Sequence, residues 1–259
     1  VPLADSFDGF LVDLDGVVWI GREPVPGSPQ ALRALLDSGK RVVFVTNNPG
    51  RHPAAYAERL REVGVEVGAE QVVTAGMVAA RLAGEAADGG SAFVIGATAL
   101  KEMVAAAGAR VLEGEEARKA DAVVVSGHRG FDYDELLTAK RALDGGAALV
   151  ATSRDPTMPF PGGEVPGTGA VLAAVETASG RRAEIAGKPE RHLFEMAVEA
   201  IGGGRLAMIG DRVSSDVAGG RGAGLETILV LSGATSEEQA AAADPAPDHV
   251  LASLSGLLE

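Results

Sequence analysis

The chain has 259 residues, 46% hydrophobic and 23% charged, an ordinary soluble globular balance that allows one large domain or two modest ones. It has no cysteine, which excludes disulfides, thiolate metal sites and a cysteine nucleophile and fits a reducing, cytoplasmic setting. A formal charge of -13, with Arg181-Arg182 as the densest basic pair, argues against a nucleic-acid partner but not against an anionic small molecule, because a metal ion, a lysine and helix N-termini can build a positive pocket.

No apolar run approaches the roughly 20 residues that span a bilayer, and VPLADSFDGF at the start has neither a basic segment nor a long apolar core, so neither a membrane span nor a secretory signal is expected. From there, strand-like apolar runs alternate with helical patterns. FLVDL (10–14) carries Asp13 and leads through Asp15 and Gly16 to a helix over Pro29–Asp37, with Ser28 as its expected N-cap and Gly39 closing it. RVVFVT (41–46) runs into Asn47-Asn48-Pro49, and apolar spacing predicts a helix over Ala54–Val63. AFVIG (92–96), DAVVVS (121–126), a helix over Tyr133–Leu143 and ALVAT (148–152) follow. The Pro- and Gly-rich stretch 152–169 reads as a long irregular loop of the functional or disordered kind. After AEIA comes Gly187-Lys188-Pro189, then a helix over Arg191–Ile201, LAMIG (206–210) with Asp211 and Asp216 beyond it, and ETILVL (226–231). EEQAAAADPAPD (237–248) reads as a surface helix and loop. Near-continuous apolar strands alternating with helices predict an α/β protein with buried, mostly parallel sheet.

Ligands of such sheets bind beyond the carboxyl ends of the strands. Four polar clusters are expected there: Asp13 with Asp15, Thr46-Asn47-Asn48, Gly187-Lys188-Pro189, and Gly210-Asp211 with Asp216. Singly, each is also explained as turn or capping chemistry. Jointly, DLDG, Thr46, Lys188 and GDRVSSD resemble the four motifs of the haloacid dehalogenase superfamily. With the long insertion between Thr46 and Lys188, the chain is similar to its NagD or 4-nitrophenylphosphatase-like branch, with serine at position 215 where threonine is more usual.

That resemblance implies a doubly wound, Rossmann-like core from residues 1–74 and 186–259, with an inserted α/β cap of the large type at 75–185. It further implies a Mg²⁺-dependent phosphatase acting on a small phosphomonoester. Asp13 would be the nucleophile that forms an aspartyl-phosphate, and Asp15 the group that protonates the leaving alkoxide and then deprotonates water. Asp13, the Asp15 carbonyl and Asp211 would hold the metal, and Asp216 would hold a metal-bound water or orient Lys188. Thr46, Asn47, Asn48 and Lys188 would bind the phosphoryl oxygens. Candidate substrates from the branch are 2-phosphoglycolate, glycerol 3-phosphate, nucleoside monophosphates and pyridoxal 5'-phosphate, with 4-nitrophenyl phosphate as an artificial one. A homodimer through the cap is compatible with the resemblance.

In the cap, Arg154 stands as a candidate for holding a second substrate group, or as a surface arginine paired with Asp155. Trp19 is read as packing near the entrance, with substrate contact as the alternative, and His128 as a loop residue, with facing the active site as the alternative. No strand is expected directly before Gly167-Thr168-Gly169, which also lacks the third glycine of a dinucleotide fingerprint, and AGKPE is no P-loop. The four histidines show no zinc-ligand spacing. Rival readings are C–halogen hydrolysis or a mutase on the same fold, and a phosphate-binding regulatory protein without turnover.

Overall fold

A computed structural model describes residues 1–160 and 163–259. In chain order its elements are β1 (Gly9–Asp13), β2 (Trp19–Ile20), β3 (Glu23–Pro24), α1 (Ser28–Asp37), β4 (Arg41–Thr46), α2 (Pro53–Glu62), β5 (Val72–Thr74), α3 (Ala75–Ala87) and β6 (Ser91–Ile95). There follow α4 (Thr98–Ala106), β7 (Arg110–Val111), β8 (Ala122–Val125), α5 (Tyr133–Asp144), β9 (Ala148–Ala151), β10 (Thr157–Phe160), β11 (Gly163–Pro166), α6 (Thr168–Ser179) and β12 (Glu184–Ile185). The chain closes with α7 (Arg191–Ile201), β13 (Leu206–Gly210), α8 (Ala218–Gly222), β14 (Glu226–Val230), α9 (Glu237–Ala241) and β15 (His249–Leu251). They form two compact units, one of Val1–Thr46, Pro53–Val73 and Lys188–Glu259, the other of Asn47–His52 and Thr74–Gly187.

The first unit is built on a six-stranded sheet in the order β15-β14-β13-β1-β4-β5. β1 lies between β13 and β4, parallel to both, with Val12 beside Ile209 and Asp13 beside Val45. Because successive strand residues face opposite ways, a central strand with both faces covered is apolar throughout. Phe10 and Val12 pack with Phe44, Ile209 and the α1 residues Leu32 and Leu35 on one face. α7 lies against β1 and β4 and buries Leu193, Phe194, Ala197 and Ile201. This α/β arrangement brings the ends of β1, β4 and β13 side by side.

Ser28 does not cap α1. The cap position falls to Gly27, whose φ of +83° suits glycine, and the buried Ser28 hydroxyl donates to the Val17 carbonyl at 2.8 Å. That bond braces the loop after β1, so the serine serves a buried carbonyl instead of a helix end.

The second unit has its own five-stranded parallel sheet, β12-β9-β8-β6-β7. α5 and α6 cover one face, where Leu143, Leu172 and Val175 pack with Phe93, Val123 and Leu149, and α3 lies against β6, β8 and β9. The stretch 152–169, expected to be irregular, contains the antiparallel pair β10–β11 and the start of α6. Proline is tolerated in such a ribbon because alternate backbone N–H groups point away from the partner strand. Pro161 and Gly162, in the same stretch, lie outside the described residues. Among the described residues, no helix is long and apolar enough to cross a membrane.

One buried carboxylate ties α6 to the chain around it. Glu176 accepts from both guanidinium nitrogens of Arg154 at 3.0 and 2.8 Å, from Arg182 at 2.9 Å, and from the Ala183 N–H at 3.0 Å. The Arg154 hydrogen bonds lead, against the opposing effect of burial, in holding its pKa down at about 2 from the ordinary 4.5. The folded state therefore binds fewer protons than the unfolded chain between these values. Its stabilisation is complete above about pH 4.5 and is lost as pH falls toward 2. Glu176→Gln is expected to cost on the order of 1–3 kcal/mol at pH 7, after discounting for the solvent around both arginines. In urea titrations the gap between wild type and variant should narrow as pH is lowered from 5 to about 2.5.

Candidate active site

β1 delivers Asp13 at its last residue, β4 ends on Thr46, and β13 ends at Gly210 with Asp211 next. The turn after β13 carries Asp216, whose Oδ2 accepts from the Arg212 N–H at 3.0 Å, so it is Asp216 and not Asp211 that caps this segment. The result is a buried cluster in which oxygens of Asp13, Asp211 and Asp216 lie within 4.8 Å of one another.

Lys188 enters this cluster from the segment before α7. Its Nζ is 2.8 Å from Asp13 Oδ1 and 2.6 Å from Asp216 Oδ1, and its side chain is 2% exposed. The strand that precedes it, β12, pairs with β9 in the five-stranded sheet. Lys188 therefore does not stand at a strand end of the sheet that carries Asp13, although the sequence pattern suggested that it would.

Burial pushes the Asp13 carboxyl well above the ordinary carboxylate value, with Lys188 opposing and Asp216 and Asp211 adding to the rise. Asp211 is raised to about 6, again by burial first and Asp216 second. For Lys188, burial acts to lower the value, but Asp13 and Asp216 outweigh it and hold the ammonium above the ordinary lysine range. Three carboxylates against one ammonium leave two negative charges in excess.

The donor set fits a hard divalent cation. Asp211 Oδ1 is buried with no hydrogen-bond partner among the described residues, whereas Asp211 Oδ2 is held by the Ala234 N–H at 2.7 Å. Carboxylate oxygens and excess negative charge are what Mg²⁺ takes. The space around Asp211 is kept by glycine: a Cβ on Gly16, at φ +88°, or on Gly233 would collide with the Asp211 carboxylate.

Asp15 is exposed and is not one of the clustered carboxylates, with Oδ1 accepting from the Trp19 indole N–H at 3.0 Å. Thr46 is buried at the end of β4. Asn47 and Asn48 belong to the second unit and precede α2 by several residues, so they do not form its first turn. Asn47 Nδ2 donates to Asp155 Oδ2 at 3.1 Å, and Asn48 Oδ1 accepts from the Gly50 N–H at 3.0 Å. Arg154 is paired with Glu176. His128 faces Glu135 at 2.8 Å in the same unit.

Unanticipated contributors come from the loop after β14. Ser232 donates to the Gly16 carbonyl at 2.7 Å, Ala234 N–H holds Asp211, and Thr235 donates to the Asp211 carbonyl at 2.6 Å. The signal was a further polar cluster, Ser232-Gly233-Ala234-Thr235, directly after the apolar run ETILVL.

Residues 10–110 match the sequence family of haloacid dehalogenase-like hydrolases, and residues 185–257 match a HAD-hydrolase-like family. Chronophin from Mus musculus is 38% identical, covering 97% of this chain and 92% of its own. The chain belongs to the haloacid dehalogenase superfamily. Within it the branch is that of the phosphatases, hydrolases of phosphoric monoesters. D-Glycerol 3-phosphate phosphatase from Mycobacterium tuberculosis is 39% identical over 94% of this chain and 68% of its own. The solved structure of glycerol phosphate phosphatase from the same organism, in complex with magnesium, superposes with a TM-score of 0.92 at 36% identity, covering 100% of this chain and 78% of that one. Magnesium is the ion bound in that relative, and the carboxylate cluster here offers the hard oxygen donors such an ion takes.

Removing one of the crowded charges separates metal binding from folding. Metal-free Asp211→Asn is expected to melt at or above metal-free wild type, since it loses a buried repulsive charge. Mg²⁺ at about a hundredfold its Kd should stabilise wild type by about 2.7 kcal/mol, roughly 5–10 °C in Tm, and leave the variant nearly unmoved in a thermal-shift titration.

Proposed function

We propose that this phosphatase hydrolyses a small-molecule phosphomonoester through an aspartyl-phosphate on Asp13. The observation that carries the reading is the position of Asp13, at the end of β1 and 2.8 Å from a buried ammonium, inside a carboxylate cluster that calls for a cation. Asp13, Asp211 and the Asp15 carbonyl would hold magnesium, with Asp216 holding a metal-bound water or orienting Lys188, and the ion would supply the positive charge that an anionic phosphoryl group needs to approach the carboxylates.

An Asp13 carboxylate oxygen attacks phosphorus, and the bond from phosphorus to the ester oxygen breaks as Asp15 gives that oxygen its proton. Asp15 then takes a proton from the water whose oxygen attacks the same phosphorus. The Asp13–phosphorus bond breaks, the carboxylate returns and inorganic phosphate leaves. Lys188, fixed by Asp216, stabilises charge on the phosphoryl oxygens, and the Thr46 hydroxyl donates to them. Asn47 and Asn48, next in the chain, are assigned to the same oxygens. Such transfer rests on positioning and electrostatics more than on further covalent chemistry.

We assign residues 1–74 and 186–259 to the catalytic core and 75–185 to a cap that selects the leaving group. Glycerol 3-phosphate leads the candidates because relatives carry that name; 2-phosphoglycolate, nucleoside monophosphates and pyridoxal 5'-phosphate follow. Arg154 is the weakest of the assigned residues, because it must share its pair with Glu176 to hold a substrate group. A cysteine-free chain fits a cytoplasmic enzyme, and a homodimer is the assembly we expect.

The experiment is phosphate release from these esters and from 4-nitrophenyl phosphate, with Mg²⁺ or EDTA, by wild type and Asp13→Asn. Release should need Mg²⁺ and fall at least roughly a thousandfold in Asp13→Asn. Turnover that survives both EDTA and Asp13→Asn, in a preparation free of other phosphatases, would overturn the mechanism.

A further inference from the structure

Trp19 is 1% exposed, and a buried indole N–H needs a hydrogen-bond acceptor. It finds Asp15 Oδ1 at 3.0 Å, only four residues back. The chain turns sharply to allow this: the Gly16 N–H donates to the Trp19 carbonyl at 2.7 Å, and the N–H groups of Val18 and Trp19 both return to the Leu14 carbonyl at 2.9 and 3.3 Å. Asp15 and Trp19 are thereby bridged side by side.

The indole is itself held. The Arg59 guanidinium from α2 lies 3.9 Å from the ring centroid, a cation–π stack, and also donates to the Gly21 carbonyl at the turn between β2 and β3. Register fixes Trp19 against Pro24 in that hairpin. An exposed aspartate otherwise samples several rotamers, so a donor on an immobile ring selects among them.

We propose that Trp19 is a positioning residue for Asp15: its indole N–H aims the Asp15 carboxyl for proton transfer, with Arg59 clamping the ring. This rests on the reading of Asp15 as the acid–base group. Trp19 donates to the oxygen Oδ1, leaving Oδ2 to carry the transferred proton.

The test uses leaving groups. An alkoxide needs a proton to depart and 4-nitrophenolate does not, and kcat/KM reports the steps through loss of the alcohol, before the second half-reaction. Trp19→Phe keeps a ring for Arg59 and deletes only the donor. We expect kcat/KM for glycerol 3-phosphate to fall about tenfold or more, and for 4-nitrophenyl phosphate no more than about threefold. In the Asp15→Asn background Trp19→Phe should add nothing further. Equal losses on both esters, or no loss on either, would mean that Trp19 only packs, and the proposal would be wrong. If Asp15→Asn itself fails to discriminate between the esters, the acid–base reading fails; if it discriminates and Trp19→Phe does not, only the positioning role fails. One readout needs no turnover. Trp19 is the sole tryptophan, so its indole N–H gives a single resonance in ¹⁵N-edited NMR. That resonance should move upfield in Asp15→Ala; if it stays in place, the contact is absent and the proposal is overturned.

Discussion

Like-charge crowding governs this protein's candidate active site. Asp13, Asp211 and Asp216 share a buried pocket with a single ammonium, and burial makes each negative charge costly. Stability alone would favour replacing such a cluster with apolar residues. A divalent cation would supply the missing balance, and the proposed phosphoryl anion would then meet a cation in place of bare carboxylates. Lys188 keeps the metal-free state tolerable because it touches two of the three carboxylates and leaves Asp211 Oδ1 open.

The fold meets this constraint with very little local machinery. β13, β1 and β4 are neighbours running parallel, so their carboxyl ends place Asp211, Asp13 and Thr46 in a row without any long side chain having to reach. The loops are then pinned by neutral donors, Ser28 on the Val17 carbonyl and Ser232 on the Gly16 carbonyl. Charged braces there would have disturbed the electrostatics of the pocket. Small residues at Gly16, Gly210 and Gly233 keep the carboxylates of Asp211 and Asp216 free of steric conflict.

The sequence disclosed the central sheet strands because strands buried on both faces are written as continuous apolar runs. All seven runs that it showed correspond to β1, β4, β6, β8, β9, β13 and β14. The two- and three-residue strands β2, β3, β5, β7, β12 and β15 were not legible as runs, since so few residues show no period. α3 went unread for another reason: AGMVAARLAGEAA is small and mostly apolar, with only Arg81 and Glu85 to mark a polar face. Ser28 misled because a serine before Pro29 has the form of a cap, while a tertiary carbonyl decided its actual partner. At the site, the motifs pointed to Asp13, Lys188, Asp211 and Asp216, which the fold gathers. The 232–235 loop gave only a weak signal, its place after an apolar run, because it works through a backbone N–H and common hydroxyls.

The separation of Asp13 from Asp15 follows from where β1 stops. In a continuing strand, residues two apart face the same way, and both aspartates would point into the pocket and repel each other. The strand instead ends at Asp13, Gly16 turns at φ +88°, and Leu14 gathers the N–H groups of Val18 and Trp19. Asp13 stays buried against Lys188, and Asp15 comes out exposed beside an indole. Two identical side chains thus occupy unlike surroundings. A carboxylate beside a fixed ammonium suits the attack proposed for Asp13, and one that reaches solvent suits the different role proposed for Asp15. On the proposed roles, the glycine in DLDG serves the chemistry, because it turns the chain at the point where two adjacent functions need two environments.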